Sequence, residues 1–320
     1  MRVSYSLGSL LSIDEILECA KTIPHHDTDT IWIPETWGME NFAMLAAVSQ
    51  ITKTCRIGSS IINIYSRSPA LIGMGAATID TISKGRLILG LGTSSIPIVE
   101  QFHGYKFDSP LSRMREYVEI INKTLSKDVI NHSGDTFNLK DFKLLIKPYR
   151  NKIPIYMAAV NEKMTNLAWD MADGVIFYLK PISEIQNVTK LQSRKIDVSC
   201  QIITSISEDA DIAIRRAKKT LAFYIAVGGI YRDYLSYHGY NKETTSILEE
   251  FKKSKTAQLY HLVSDRMLND LALAGTPEHC QKHIKKFLNA GVTHPILQFN
   301  PNGNTIPSFK LLTKTFSGEI

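Results

Sequence analysis

The sequence predicts one (β/α)8 TIM barrel of the α/β class, with insertions at the carboxyl-terminal face of its strands. Three observations carry this prediction. Short apolar runs alternate with amphipathic helices, roughly eight such runs are present, and a chain of 320 residues suits one barrel. Because strands joined by helical crossovers run parallel, eight of them can close a barrel. We therefore expect a single domain over residues 1–320.

The first third of the chain shows the alternation most clearly. The helices there begin at residues that cap helices. Ser12 and Glu15 form a capping box, Asn41 suits an N-cap, and Ser68 precedes a first-turn proline. Gly85 is expected to end the third helix. The predicted strands are residues 2–7, 30–34, 56–64 and 86–90.

The rest of the chain continues the pattern, with strands predicted at residues 153–159, 174–178, 198–204 and 293–299. Thr276-Pro277 begins and Gly291 ends the helix before the last of them. Two stretches, about 96–152 and about 223–270, do not fit a minimal barrel. The first contains one helix (109–125) and a polar segment, and the second is helical without a strand. We interpret both as insertions at the face where barrels build active sites.

The amino-acid composition limits the classes of protein to which the chain can belong. Hydrophobic residues make up 44% and charged residues 21% of the chain, as in soluble folded domains. No apolar run approaches the roughly 20 residues of a membrane span, and the N-terminus does not resemble a signal peptide, so a cytoplasmic protein is expected. Four cysteines lie far apart, which favours neither a zinc site nor disulfides.

The net charge of the chain raises the question of an anionic partner; a merely basic surface is the alternative. Lys and Arg number 37 against 31 Asp and Glu, a formal net charge of +6. These cations are scattered and interspersed with acids, so we predict no nucleic-acid partner. The His25-His26-Asp27 segment resembles a metal site in composition, but it lies at the opposite end of the predicted barrel from the mouth, so no metal is expected.

Candidate functional residues follow the predicted strands, because strand ends converge at the mouth of a barrel. A carboxylate such as Glu35 can be a general acid or can accept a hydrogen bond from a ligand; an ordinary surface carboxylate is the alternative. The residues at these ends are Ser6 after the first strand, Glu35, Thr36 and Trp37 after the second, and Asn63, Tyr65 and Arg67 after the third.

Two backbone features add to this set. Gly92 and Thr93 after the fourth strand allow close approach of a ring or phosphate, although by themselves these residues are better explained by a tight turn after a buried strand. Asn161 is expected to cap a helix whose free N–H groups, with Lys163, suit an anion; a purely structural cap is the alternative.

Short motifs in a fixed order run along nearly the whole chain. They are Ile31-Trp-Ile33 followed by an acid, Asn63-Ile-Tyr65-Ser-Arg67-Ser-Pro69, Gly85-Arg86 through Leu89-Gly90-Leu-Gly92, Ala172-Asp-Gly174 and Gly275-Thr-Pro277-Glu278. In these residues the chain resembles the luciferase-like family of flavin and deazaflavin barrel enzymes. It is most similar to the coenzyme F420-dependent branch, and within it to methylenetetrahydromethanopterin reductases.

The resemblance implies an oxidoreductase that transfers hydride between reduced F420 and a small organic or pterin substrate. It implies a cis peptide bond between Ser60 and Ile61, behind the deazaflavin ring. It also implies a homodimer or homotetramer, and the phosphate and polyglutamate tail of F420 would account for the positive charge. The implied cofactor contacts are Glu35 and Thr36 at the head, Asn63, Gly92 and Thr93 along the ring or linker, and Ala159, Val160 and Asn161 at the phosphate.

Three departures from the family pattern leave alternatives open. Glu35-Thr36 stands where the F420 branch commonly has Asp-His, and Asn161-Glu162 replaces a Gly-Pro pair. The family glutamate proposed to assist at the pterin aligns with Ser6, so Glu35 and Glu100 become the candidate catalytic acids. The alternatives are an FMN-dependent monooxygenase of the same family and a non-catalytic deazaflavin- or pterin-binding protein.

Overall fold

A computed structural model describes residues 2–8, 10–24, 27–126, 129–146, 148–255 and 258–318. The elements before residue 143 are β1 (Val3–Ser6), α1 (Ile13–Lys21), β2 (Thr28–Ile33), α2 (Asn41–Ile51), β3 (Arg56–Ser59), β4 (Ile62–Asn63), α3 (Pro69–Ile82), β5 (Leu87–Gly92), a first π-helical turn (Ile98–Phe102), α4 (Pro110–Leu125), β6 (Ile130–Ser133) and β7 (Asn138–Phe142).

The later elements are β8 (Ile155–Ala158), α5 (Glu162–Met171), β9 (Gly174–Tyr178), α6 (Ile182–Lys190), β10 (Asp197–Ile206), α7 (Ala210–Val227), α8 (Gly229–Leu235), a second π-helical turn (Ser236–Tyr240), α9 (Asn241–Lys253), a 3-10 turn (Leu259–Leu262), α10 (Asp265–Leu271), β11 (Ala272–Gly275), α11 (Pro277–Asn289), β12 (His294–Phe299) and α12 (Thr305–Phe316).

The chain forms two compact units. The first unit comprises residues up to 28 and from 177 onward, and the second comprises residues 29–176. In the first unit the strands run parallel in the order β11-β10-β12-β1. In the second they run parallel in the order β2-β3-β5-β8-β9, and β4 also pairs with β5. The single-domain interpretation stays a prediction.

Aromatic rings and glycines interlock across the strands of the second unit. Trp32 on β2 lies opposite Gly58 on β3, and a Cβ added at Gly58 would fall 2.5 Å from the Trp32 ring. Tyr156 on β8 lies opposite both Gly90 and Gly174, and a Cβ at Gly174 would fall 2.8 Å from its ring. A large aromatic ring on one strand therefore requires a glycine at the paired position of the next strand. These pairs fix the register of the sheet.

Ion pairs and backbone hydrogen bonds hold the beginning of β5. The Arg86 guanidinium donates to the carbonyl oxygens of Ser49, Thr52 and Cys55 at 2.8 to 3.0 Å. Asp80, which is fully buried, pairs with Arg150 and accepts from the Leu87 N–H. Asp80 and the motif residue Arg86 thus anchor the strand that leads to Gly90 and Gly92.

The first unit has its own apolar core, where α7 packs against β10, β11, α9 and the 3-10 turn. Leu221 and Ile225 of α7 are fully buried there, together with Ile247 of α9 and Met267 of α10. Among the residues that the structure describes, no helix is long and apolar enough to cross a membrane.

Most predicted helix starts are confirmed. Ser12 and Glu15 form the capping box, and Ser68 and Thr276 cap their helices before a first-turn proline. The Asn41 prediction was wrong: Glu40 is the N-cap, its carboxylate accepting from the Ala43 N–H at 2.7 Å. Asn41 instead donates from its buried side chain to the Ile33 carbonyl.

Two predictions about strands also need correction. Residues 96–152 contain, besides α4, an antiparallel hairpin of β6 and β7, where only a polar segment was predicted. Ala272–Gly275 forms the unpredicted strand β11, paired with β10 from Ile203 to Ile206.

Candidate functional site

Four neighbouring parallel strands of the second unit end along one edge. These are β2, β3 with its continuation β4, β5 and β8. Because they run in the same direction, the residues after them lie side by side along the carboxyl edge of the sheet. This edge brings together ten of the predicted site residues: Glu35, Thr36, Ser60, Ile61, Asn63, Gly92, Thr93, Ala159, Val160 and Asn161.

The third predicted strand is interrupted at the position that the resemblance implies. The Ser60–Ile61 peptide bond is cis, and it separates β3 from β4. The Ser60 N–H donates to the Ile33 carbonyl at 3.0 Å. Beyond the bend, Ile61 packs against Gly92, where an added Cβ would fall 2.5 Å from its side chain. Glycine at 92 is therefore required by Ile61.

Two hydrogen bonds between Ser59 and Gly90 hold β3 and β5 together next to this bend. The Ser59 hydroxyl donates to the Gly90 carbonyl at 2.9 Å and accepts from the Gly90 N–H at 2.8 Å. A Cβ at Gly90 would lie 1.9 Å from the Ser59 carbonyl oxygen. The backbones of β3 and β5 thus approach so closely that only glycine fits at 90.

Glu35 is surrounded by donors. Its two oxygens receive both arms of the Arg67 guanidinium, at 2.6 and 2.9 Å. They also accept from the backbone N–H groups of Asn41 and Asn63, each at 3.2 Å. The side chains of Glu35 and Arg67 are 8% and 14% exposed. This carboxylate therefore ties the end of β2 to the segment that follows β4.

The charge state of Arg67 follows from its neighbours. Burial by itself would lower the pKa of Arg67, but the hydrogen bonds and charges of Glu35 and Glu40 raise that pKa above its usual value. Glu40 also pairs with the guanidinium. A guanidinium shared by two carboxylates keeps Glu35 in an acceptor role, so its carboxylate positions the loop rather than offering a proton.

Two buried polar atoms at this edge have no protein partner. Asn63 accepts the Tyr65 N–H through its Oδ1 at 2.9 Å, which leaves its Nδ2 free to donate. Within the described part of the chain, neither Asn63 Nδ2 nor Ser60 Oγ has a hydrogen-bond partner. Buried polar atoms without partners are rare, and they are expected where a ligand satisfies them. The edge thus offers an amide donor and a hydroxyl to a bound polar ring.

Three further predicted residues, Asn161, Ala159 and Glu100, lie on the segments that follow β8 and β5. Asn161 caps α5 by accepting the Met164 N–H at 3.0 Å, as predicted, and is exposed. Ala159 is buried, and its N–H donates to the Ile176 carbonyl. Glu100 is exposed and accepts the Phe107 N–H at 3.1 Å. Glu100 therefore fixes the loop after the first π-helical turn.

The family profile described as "Luciferase-like monooxygenase" matches residues 2–294 of this chain. The chain belongs to the luciferase-like monooxygenase family. One relative of this luciferase-like chain is a putative coenzyme F420-dependent oxidoreductase of Mycobacterium tuberculosis, 27% identical over 83% of this chain and 85% of the relative. Another is the 5,10-methylenetetrahydromethanopterin reductase of Archaeoglobus fulgidus, 29% identical over 84% of each chain.

Solved structures confirm the predicted barrel fold. The coenzyme F420-dependent tetrahydromethanopterin reductase of Methanopyrus kandleri superposes with a TM-score of 0.84 at 22% identity, covering 98% of this chain and 97% of its own. An F420-dependent secondary alcohol dehydrogenase, solved with an F420–acetone adduct, gives 0.79 at 19% identity, covering 98% and 97%. The luciferase-like chain is therefore a (β/α)8 barrel.

Ser6 is the last residue of β1 in the first unit of this luciferase-like protein. Its Oγ is buried and has no hydrogen-bond partner among the residues described. A serine hydroxyl does not act as an acid at neutral pH, so Ser6 does not fit the role of a general acid.

Sequence reasoning placed Glu35 and Arg67 at strand ends but did not pair them. The two residues lie 32 positions apart, and no local pattern links them. The expectation that the His25-His26-Asp27 segment holds no metal is not tested, because His25 and His26 lie outside the described residues. In the part of the chain that is described, no group of three or more His, Cys, Asp and Glu side chains could hold a metal.

One cavity of about 220 Å³ lies in the first unit, lined by α7, α9 and the residues around the 3-10 turn. It contains no predicted site residue and no strand end. We place the functional site at the carboxyl edge because two unpartnered polar atoms, Ser60 Oγ and Asn63 Nδ2, lie there among the predicted site residues.

Replacing Glu35 by glutamine is expected to weaken cofactor binding or turnover at least tenfold, about 1.4 kcal/mol. The amide removes the negative charge that holds Arg67 and orients the Asn63 backbone. Cofactor titration and steady-state kinetics of Glu35→Gln measure the effect, with Glu18→Gln, at an exposed ion pair, as the control. An unchanged affinity and rate would show that the Glu35 charge is not needed for cofactor binding or turnover.

Proposed function

We propose that this luciferase-like barrel is a coenzyme F420-dependent oxidoreductase. The observation that carries the proposal is the pair of buried, unpartnered polar atoms, Ser60 Oγ and Asn63 Nδ2, beside the apolar contact of Ile61 with Gly92. The names of the relatives support the same conclusion, since F420 is the cofactor that recurs among them.

The chemistry of these residues fits a deazaflavin. A flat ring with carbonyl and N–H groups on its edge needs an apolar support and a few hydrogen-bonding groups. We assign the support to Ile61 and the hydrogen bonds to Asn63 Nδ2 and Ser60 Oγ. We assign the anionic part of the cofactor to the start of α5, where Asn161, Lys163 and the helix dipole favour negative charge. When bound, reduced F420 supplies the hydride.

The protein's own task is then to position the acceptor and exclude water. The Glu35–Arg67 pair serves this task by fixing the Asn63 backbone, and Ser59 does so by locking Gly90. A rigid strand edge is a better support for a hydride acceptor than a loop, because small displacements cost rate.

We further propose a small carbonyl compound or a methylene-bridged pterin as the substrate. Relatives from Archaeoglobus fulgidus and Methanolobus tindarius named 5,10-methylenetetrahydromethanopterin reductase support the pterin. The acetone adduct in the alcohol dehydrogenase supports a small ketone. Ser6, in place of the expected glutamate, favours a chemistry in which another residue supplies the proton.

Equilibrium titration with F420 and with FMN tests the cofactor assignment. We expect F420 to bind more tightly than FMN and Asn63→Ala to weaken F420 binding. Thr54→Ala, a substitution remote from the carboxyl edge, serves as the control. Tight FMN binding without F420 affinity would overturn the proposal and favour the monooxygenase, which oxygen consumption with reduced FMN would then demonstrate. The homodimer or homotetramer and the cytoplasmic location stay predictions, and sedimentation velocity tests the former.

A further inference from the structure

The cavity of about 220 Å³ in the first unit lies between α7, α9 and the 3-10 turn. The buried part of its lining is aliphatic, since Ala222, Ala226 and Leu259 are 1%, 5% and 8% exposed. The rings of Phe251 and Tyr260 form partly exposed side walls. The interior of the cavity is therefore apolar, and none of these residues belongs to the carboxyl-edge site.

Two alanines on α7 create the space. Ala222 and Ala226 are four positions apart, so they lie on the same face of the helix. Their methyl groups leave that face recessed, whereas Leu221 and Ile225 of the same helix are fully buried in the core. An apolar cavity of about 150 Å³ is large enough to bind benzene. The larger cavity on α7 therefore has room for a substituted benzene ring.

Cations lie beside the aromatic walls at the exposed end of the cavity. Lys219 and Lys255 are exposed residues of its lining. Lys255 Nζ lies 4.0 Å from the ring centre of Phe251, and Lys219 Nζ lies 5.8 Å from that of Tyr260. The guanidinium carbon of Arg215 lies 5.4 Å from the Tyr260 ring centre. These contacts hold positive charge at the mouth of the apolar interior.

Neighbouring carboxylates pair with other lysines. Glu250 on α9 pairs with Lys253 at 3.3 Å, and Asp265 on α10 pairs with Lys218 at 2.7 Å. In the part of the chain that the structure describes, no ion pair joins an acid to any of the three cations at the mouth. The mouth is thus complementary to an anionic group, and the interior is complementary to an apolar one.

We propose that this cavity binds an aryl carboxylate, a flat apolar ring that bears one carboxylate group. The ring contacts Ala222 and Ala226, and its carboxylate accepts hydrogen bonds from Lys219 and Lys255. Aromatic walls favour an aromatic ring because edge-to-face and offset contacts between rings add to the burial of apolar surface. Binding is non-covalent and needs neither F420 nor turnover, so the inference does not rest on the proposed function.

Isothermal titration calorimetry of the full chain with three matched probes tests the ligand chemistry. The probes are 4-ethylbenzoate, its neutral analogue 4-ethylbenzamide and the cation 4-ethylbenzylamine. We expect the benzoate to bind at least about tenfold more tightly than the amide, and the amine to bind more weakly than both. Added NaCl should weaken binding of the benzoate alone, because salt screens a charge contact at the mouth. Equal affinities of benzoate and amide, or no binding of either, would overturn the proposal.

Variants separate the charged mouth from the apolar interior. Lys219→Met and Lys255→Met, at exposed side chains, should each lower the benzoate affinity at least about threefold and leave the amide affinity unchanged. Ala226→Leu fills the space and should prevent binding of both probes. Lys282→Met, at an exposed lysine of α11 outside the cavity, is the control and should match the wild type. Wild-type benzoate affinity in both cavity lysine variants would contradict the proposal, whether or not Ala226→Leu folds.

Sedimentation velocity distinguishes a small ligand from a second copy of the chain in the cavity. A copy that inserted an apolar side chain there would compete with the probe. We expect the sedimentation coefficient to be the same with and without saturating 4-ethylbenzoate, and the same in Ala226→Leu. A wild type that binds no probe, and whose oligomer dissociates in Ala226→Leu, would assign the cavity to a subunit contact and overturn the proposal.

Discussion

Gly90→Ala is expected to destabilise the protein by at least about 3 kcal/mol and to abolish cofactor binding. The new methyl group would lie 1.9 Å from the Ser59 carbonyl oxygen, a backbone atom that cannot rotate away. Relief requires β3 and β5 to separate, which breaks both hydrogen bonds between the Ser59 hydroxyl and Gly90. Because β3 leads directly into Ser60 and Ile61, the cofactor support moves as well.

Urea unfolding followed by circular dichroism measures the loss of stability. Gly38→Ala is the matched control, since nothing lies within 4 Å of its added Cβ. We expect the control to change the free energy of unfolding by less than about 0.5 kcal/mol. Equal stability of the two variants would show that the β3 and β5 backbones are not in close contact.

Arg67→Ala is expected to cost about 3 to 5 kcal/mol, because removing one partner of a buried pair leaves an uncompensated charge. Here the guanidinium serves two carboxylates, Glu35 and Glu40, so its loss leaves the buried Glu35 carboxylate without its counter-charge next to the half-exposed Glu40. The carbonyl of Arg67 also accepts the Tyr117 hydroxyl at 2.6 Å, which keeps the main chain in place and makes the charge the main change.

An exposed ion pair provides the control. Lys21 and Glu18 are about half exposed, at 54% and 55%, and Lys21→Ala should cost less than about 1 kcal/mol. Arg67→Lys, which keeps the charge but loses the two-armed geometry, should fall between the two. If Arg67→Ala lowers the free energy of unfolding in urea no more than Lys21→Ala does, the Glu35 carboxylate is solvated and does not organise the site.

The elements that sequence reasoning predicted well are those with local signals. The capping box at Ser12 and the Thr276-Pro277 start depend on neighbours within one turn. The β6–β7 hairpin has no such signal. Glu116 on α4 holds it by accepting the N–H groups of Thr136 and Phe137, a contact between residues about 20 positions apart. Strand β11 reads Ala-Leu-Ala-Gly, without β-branched or aromatic residues.

In the candidate site, too, some features follow from the sequence pattern and others depend on contacts between distant residues. Strand order and direction place Glu35, Asn63 and Gly92 at one edge, and this follows from the pattern of strands and helices. What these residues contact does not follow from it. The two-armed pairing of Glu35 with Arg67 and the close approach of Ser59 to Gly90 arise from packing between distant segments. The sequence therefore predicts where the functional site lies, whereas the roles of single side chains follow only from the three-dimensional structure.

Anaerobic turnover of reduced F420 tests the central claim most directly. The purified protein is mixed with reduced F420 and a panel of acceptors that contains acetone, small aldehydes and methylenetetrahydromethanopterin, and the appearance of oxidised F420 is followed by absorbance. The account predicts catalytic oxidation with at least one acceptor, and any such turnover excludes a non-catalytic binding protein. No oxidation with any acceptor, by protein that binds FMN but not F420, would contradict it.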